Sequence, residues 1–232
     1  MRADYRQYIE KYSSIYKEEL TGNIMPFWLE HGMDKVNGGL YTCLDRDGSL
    51  MDTSKSVWFQ GRFAYVCAFA YNNIEKRPEW LEASKSCIDF IEKHCVDNDD
   101  HMFFSVTAEG EPLRKRRYVF SDCFAAIAMA EYSKATGDKS YAEKSVNIFK
   151  FIQYMLNTPG FLEPKGYVSG RGHSITMILV NVALVLRQIS DDPVLEKQIR
   201  DSIYEIEHYF MHPEYECVLE STTPDGGLID TC

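Results

Sequence analysis

Apolar residues recur along the chain in two alternating helical patterns. Segments 57–71, 119–132 and 175–189 are apolar on nearly every side, whereas 78–94, 139–156 and 194–211 carry one apolar stripe, with Glu, Lys and Arg at the remaining positions. A helix apolar all round has to be buried between other layers of protein, and a striped one keeps its charged face in water. The order is therefore inner then outer, repeated at a period of roughly sixty residues, which predicts an all-α, two-layer ring or stack of α-hairpins. In such a ring the site lies where the inner-helix termini converge.

A further helix is predicted over 4–31, bent or interrupted at Gly22 and Pro26, as an outer helix that opens the ring. Residues 37–50 read as a short hairpin, because the Asp47-Gly48 turn is flanked by β-compatible residues. A second excursion at 102–110 and a loop at 157–172 precede the next two inner helices. Long connections thus enter inner helices, while exits such as Thr136-Gly137-Asp138 are short. N-cap chemistry is offered near the inner starts by Asp52, Thr53, Ser54, Ser121 and Ser174. All three inner N-termini then point to the loop-bearing end. Their unpaired N–H groups and positive dipole ends suit a ligand rich in hydroxyls or one that develops an oxyanion.

With 232 residues, 45% of them hydrophobic, the chain is long enough for one substantial core and short for two, so residues 1–232 are read as a single domain. A net charge of −10 argues against nucleic-acid binding, which needs a basic face. The basic run is Arg114-Lys115-Arg116-Arg117, either a solvated loop or the anion-attracting rim of a pocket. The N-terminus is charged and helical, without the apolar stretch of a signal peptide, and no run approaches membrane-spanning length. Cysteines at 43, 67, 87, 95, 123, 217 and 232 form no C-x-x-C pair, and most fall on apolar helix faces, where a thiol acts as a small hydrophobe. A reducing cytoplasm is the expected compartment.

Several residues could carry chemistry. Trp58 and Arg62 are four apart and share a helix face, so an indole and a guanidinium could together stack on a sugar ring and bind its oxygens. The competing reading puts Trp58 in the core and pairs Arg62 with a buried carboxylate such as Asp122. Tyr118, Ser121 and Asp122 stand at the start of the second inner helix. His173 stands at the mouth of the third, where a helix N-terminus favours a neutral imidazole. His31, His94, His101, His208 and His212 fall in termini or outer elements and are read as surface histidines. Phosphate-loop, dinucleotide, H-E-x-x-H and G-x-S-x-G motifs are missing from the sequence, and Asp45-Arg46-Asp47-Gly48 reads as turn chemistry and not as a calcium loop. No metal or cofactor is indicated.

The stretch from Gly38 to Gly48, followed by Asp52 to Arg62 with its W-x-Q-G-R helix, resembles the N-acylglucosamine 2-epimerase family. Further matches are Arg117 to Ser121, His173 to Leu179 and Pro224 to Thr231. The resemblance implies an (α/α)6 barrel of helical hairpins with short β-hairpin loops at the site end. This chain would form its N-terminal portion, about seven of its twelve helices. It also implies inversion at C2 of a ring-opened amino sugar, N-acetylglucosamine to N-acetylmannosamine. A base removes the C2 proton acidified by the C1 carbonyl, and a proton returns to the other face. Arg62 and His173 would be the catalytic residues, Arg62 stabilising the oxygen of the enolate-like intermediate and His173 also contacting substrate; Trp58 would form a wall, Tyr118 would contact substrate, and Asp122 would orient a partner or bind substrate. Ser169 stands where sugar-epimerase relatives carry Asn. The family's acid–base histidines belong to segments that would follow Thr231, so this chain alone is expected to be inactive. Alternatives are a non-catalytic sugar-binding or regulatory half-barrel, and epimerisation of cellobiose or isomerisation of mannose on the same scaffold. A nucleotide effector, as in some relatives, and a homodimer are left open, and no membrane partner is expected.

Overall fold

The computed structural model of the protein describes residues 3–115, 118–162 and 170–229. Arg116, Arg117, Ser169, Asp230, Thr231 and Cys232, all singled out in the sequence, lie outside the described residues. Helix α1 (Ala3–Glu19) runs through a π turn at Leu20–Ile24, the short α2 (Met25–Phe27) and a second π turn at Trp28–Gly32. The interruption expected at Gly22 and Pro26 takes this form. Gly22 sits in the first widened turn, and Pro26, which has no N–H to donate, sits in the short helix between them.

Strands β1 (Cys43–Leu44) and β2 (Leu50–Asp52) make the predicted hairpin, with Gly48 at φ +87° in its turn. Strand β3 (Lys55–Ser56) leads into inner α3 (Val57–Asn73) and outer α4 (Pro78–His94). Strands β4 (Ser105–Val106) and β5 (Pro112–Arg114) precede inner α5 (Phe120–Thr136) and outer α6 (Lys139–Asn157). Strand β6 (Arg171–Gly172) precedes inner α7 (His173–Leu186) and outer α8 (Pro193–Glu205), which continues as a π turn to Phe210. Strands β7 (Met211–His212), β8 (Cys217–Val218) and β9 (Ser221–Thr222) follow. β3, β4 and β5 form one antiparallel sheet, and β9 pairs with β6 at the mouth of α7, a pairing that the sequence did not announce.

Burial follows the two hydrophobic patterns. Helix α5 packs against α3, α4, α6 and α7, and every residue from Ser121 to Glu131 is buried. Outer α4 buries Trp80, Ala83, Cys87, Ile88 and Ile91 along one stripe, and α6 does the same with Tyr141, Ser145, Phe149 and Ile152. Cys67, Cys87, Cys95 and Cys123 are buried free thiols; burial pushes Cys87 and Cys95 up to about 12, so they pack as inert small hydrophobes. Among the described residues no helix is long and apolar enough to cross a membrane. The hairpins form an open arc. Phe59, Arg62, Val66 and Phe69 on α3, and Ser174, Met177, Asn181 and Leu184 on α7, are exposed stripes at helical spacing.

Capping differs from the sequence expectation. Asp138 caps α6 by accepting the Ser140 N–H at 2.9 Å, and Asp192 caps α8 from Val194 at 3.1 Å, but among the described residues no side chain caps α3, α5 or α7. Asp52 instead accepts the Ser54 N–H within the loop. The reason is that strands run straight into α3 and α7. A carbonyl from the neighbouring loop then reaches the first N–H, Phe104 O for Val57 at 3.0 Å and Glu220 O for His173 at 2.9 Å.

Helices α3 and α5 touch at backbone level where Gly61 stands. A Cβ there would lie 2.6 Å from the carbonyl carbon of Phe124 and 2.8 Å from its oxygen. Gly61→Ala is expected to destabilise the protein by about 2 kcal/mol through overpacking, read as a lower urea midpoint at unchanged slope. An unmoved midpoint would show that the two helices separate freely.

Candidate active site

Three elements converge ahead of the inner helices. The loop at 33–42 is tied to α3 by Gln60, whose buried amide accepts the Leu40 N–H at 2.7 Å and donates to the Leu40 carbonyl at 2.6 Å. Gly39 makes this approach possible. It holds φ at +73°, and a Cβ would fall 2.7 Å from Gln60 Oε1. The hairpin of β4 and β5 is tied to α3 through β3, with Ser56 opposite Ser105, and its Phe104 ring meets the Trp58 indole edge-on at 5.5 Å. The start of α5 adds Phe120, stacked on Trp58 at 5.2 Å, and Phe124 at 5.9 Å.

On this aromatic floor lies Arg62. Its guanidinium sits 4.3 Å from the Phe124 ring centre and 5.8 Å from those of Trp58 and Phe59. The side chain is exposed, and none of the ion pairs among the described residues involves it. It also lines an open groove of about 360 Å³ with Met25, Trp28, Leu40, Phe59 and Phe63. A planar cation resting near these rings, with no hydrogen-bond partner for its N–H groups among the described residues, can receive an oxyanion through two parallel hydrogen bonds.

The structure brings together part of the set foreseen in the sequence. Trp58 and Arg62 share the floor, and half-buried Tyr118 joins it through an edge-on contact with Phe120 at 6.3 Å. His173 is half-buried and packs on Phe210 at the end of the outer helix, at 5.1 Å. Its Nε2 is buried without a hydrogen-bond partner among the described residues. Asp122 does not pair with Arg62. Only 1% exposed, it lies 3.0 Å from His101 Nδ1, accepts the Met102 N–H at 3.2 Å and lines a groove with Ile91 and Ile148 of the outer helices. That placement is a supporting one, away from the floor. Burial raises the Asp122 pKa, and the adjacent His101 ring works against the rise.

His101 is a correction to the sequence reading: it is 3% exposed and not a surface histidine. A lone His in a polar loop carries no periodic signal, and the carboxylate that draws it inward is 21 positions away. Gln60 and Gly61 were visible as letters of W-x-Q-G-R, but their partners lie on other segments. Phe120 and Phe124 had a detectable signal, one helical turn apart beside Tyr118.

An arc of two-layer α-hairpins with loops over the inner N-termini is part of an (α/α)6 barrel. The cellobiose 2-epimerase from Bacillus thermoamylovorans B4167 superposes with a TM-score of 0.86 at 18% identity, over 95% of this chain and 61% of that one. The profile of the N-acylglucosamine 2-epimerase (GlcNAc 2-epimerase) family matches residues 39–223. The chain belongs to that family, an isomerase-type enzyme family. N-acylglucosamine 2-epimerase of Rattus norvegicus is 28% identical over 225 residues, covering 90% of this chain and 52% of the relative. The Homo sapiens protein of the same name is 27% identical over 237 residues, covering 98% and 55%. The chain therefore spans about half the length of the curated relatives it matches.

Proposed function

We propose that this chain supplies the sugar-binding and oxyanion-stabilising part of a 2-epimerase that interconverts N-acetylglucosamine and N-acetylmannosamine. In the ring-opened sugar the C1 carbonyl acidifies the C2 proton. As a base removes it, the C–H electron pair moves into the C1–C2 bond and negative charge grows on the C1 oxygen. Arg62 meets that oxygen. A donor aimed at developing charge contributes about 10²–10³ in rate. Trp58 forms the apolar wall for the sugar carbons, Tyr118 and His173 contact hydroxyls or the acetamide, and Asp122 acts through His101 as a positioning residue. Reprotonation on the opposite face inverts C2 with no net change of atoms. By the family resemblance the acid–base pair is supplied by segments of the relatives beyond the half that this chain matches, and no residue of the chain is assigned to it. A nucleotide effector and dimerisation rest on the family resemblance.

The observation that supports the reading is the exposed Arg62 guanidinium on the Phe124 ring, in none of the ion pairs among the described residues. Proton NMR in D2O reads the reaction at its own atom. With N-acetylmannosamine, a protein joining this chain to the acid–base segment of its relatives is expected to lose the C2–H signal as deuterium enters. If N-acetylmannosamine, cellobiose and mannose all keep their C2–H, the epimerase reading fails, and binding without exchange identifies a non-catalytic sugar-binding half-barrel.

A further inference from the structure

Lys55 is fully buried, yet no step of the proposed chemistry uses it. Its ammonium donates to Asp34 Oδ2 at 2.7 Å, to the Gly38 carbonyl at 2.8 Å and to the Ala108 carbonyl at 2.9 Å, so all three N–H donors are engaged. The rings of Phe90 and Tyr41 lie 4.2 and 5.1 Å from the nitrogen. Asp34 also accepts the N–H groups of Val36 and Asn37 and the Asn37 side-chain amide. Burial alone would raise its pKa, but the hydrogen bonds from Lys55, Val36 and Asn37 outweigh this and hold the carboxyl well below the usual range.

The three partners belong to two entry loops. Asp34 and Gly38 sit in the loop that carries Leu40 to Gln60, and Ala108 sits in the hairpin that carries Phe104 to Trp58. Lys55 itself is three residues before Trp58 and pairs with Val106 across β3 and β4. A single ammonium thus joins both loops to the start of the helix that presents Trp58 and Arg62. It has no exposure and no uncommitted proton, so it cannot touch a ligand.

We infer that Lys55, held by Asp34, is a positioning residue that fixes the two entry loops against α3 and so sets where Trp58 stands in the sugar site. The sugar part rests on the proposed function; the positioning part does not. Hydrogen exchange by mass spectrometry and the Trp58 indole N–H resonance test it on the full chain. Lys55→Met leaves a buried carboxylate and is a risk to folding, so the double variant Lys55→Met/Asp34→Asn, which removes that charge, is measured beside it. Exchange at 34–42 and 104–110 is expected to rise at least tenfold while 139–157 is unchanged, and the Trp58 resonance is expected to move while that of Trp80 stays. A uniform rise across all segments, an unchanged pair of loops, or a fixed Trp58 signal overturns the inference. If the loops loosen and Trp58 moves but N-acetylmannosamine binds neither the parent nor the variant, the positioning role stands and the epimerase reading falls.

Discussion

Replacing Gln60 by leucine is expected to lower the unfolding free energy by about 3 kcal/mol or more, although the two side chains are similar in size. The amide supplies both partners of the Leu40 backbone, and Leu40 is 3% exposed and Gln60 fully buried, so water cannot substitute. Leaving a buried donor or acceptor unmade costs about 1–3 kcal/mol, and here one of each is orphaned. The orientation of the amide is fixed by the same logic, since only its oxygen can meet an N–H and only its NH2 a carbonyl. Urea denaturation checks the value. A loss under about 1 kcal/mol would mean that the loop at 33–42 finds other partners.

The second large effect falls on ligand recognition and spares the fold. Arg62→Lys keeps one positive charge near Phe124 but replaces a planar fork by a point charge. A stable anionic mimic of the C1 oxygen is the aldonate of N-acetylglucosamine, a carboxylate at C1 of an open chain. Its affinity is expected to fall about tenfold, equivalent to about 1.4 kcal/mol. Stability is expected to change by under about 1 kcal/mol, because Arg62 is exposed and its cation–π contacts, the nearest with Phe124, lie at the surface and are open to the lysine ammonium as well. Calorimetric titration and thermal unfolding separate the two quantities. Equal losses in both would make Arg62 a packing residue.

The alternation of inner and outer helices was legible because burial imposes a period, and periods survive in a single sequence. Helices α4 and α6 match their striped segments closely, and the buried run 121–131 follows from a segment without a polar face. Hidden features are pairings between residues remote in sequence. Lys55 and Asp34 look like surface charges until 21 positions of chain are folded back. Likewise His101 looks exposed until α5 brings Asp122 beside it. The side-chain caps expected at α3 and α7 failed for a local reason: with β3 and β6 leading in, backbone carbonyls took the first N–H groups. Within the site, Trp58 and Arg62 could be chosen because they share one helix face. Of the floor beneath them, Phe120 and Phe124 share a face beside Tyr118, but that they meet Trp58, and that Phe104 joins them from the β4–β5 hairpin, depends on packing between elements remote in sequence.

On the proposed function, Arg62 on its aromatic floor recognises negative charge at C1 of an open-chain amino sugar. Titrating the chain with the aldonate of N-acetylglucosamine and with the corresponding neutral alditol tests it most directly, since the two ligands differ only at C1. The aldonate is expected to bind at least about tenfold more tightly, a preference of about 1.4 kcal/mol. Equal affinity for the two would contradict it.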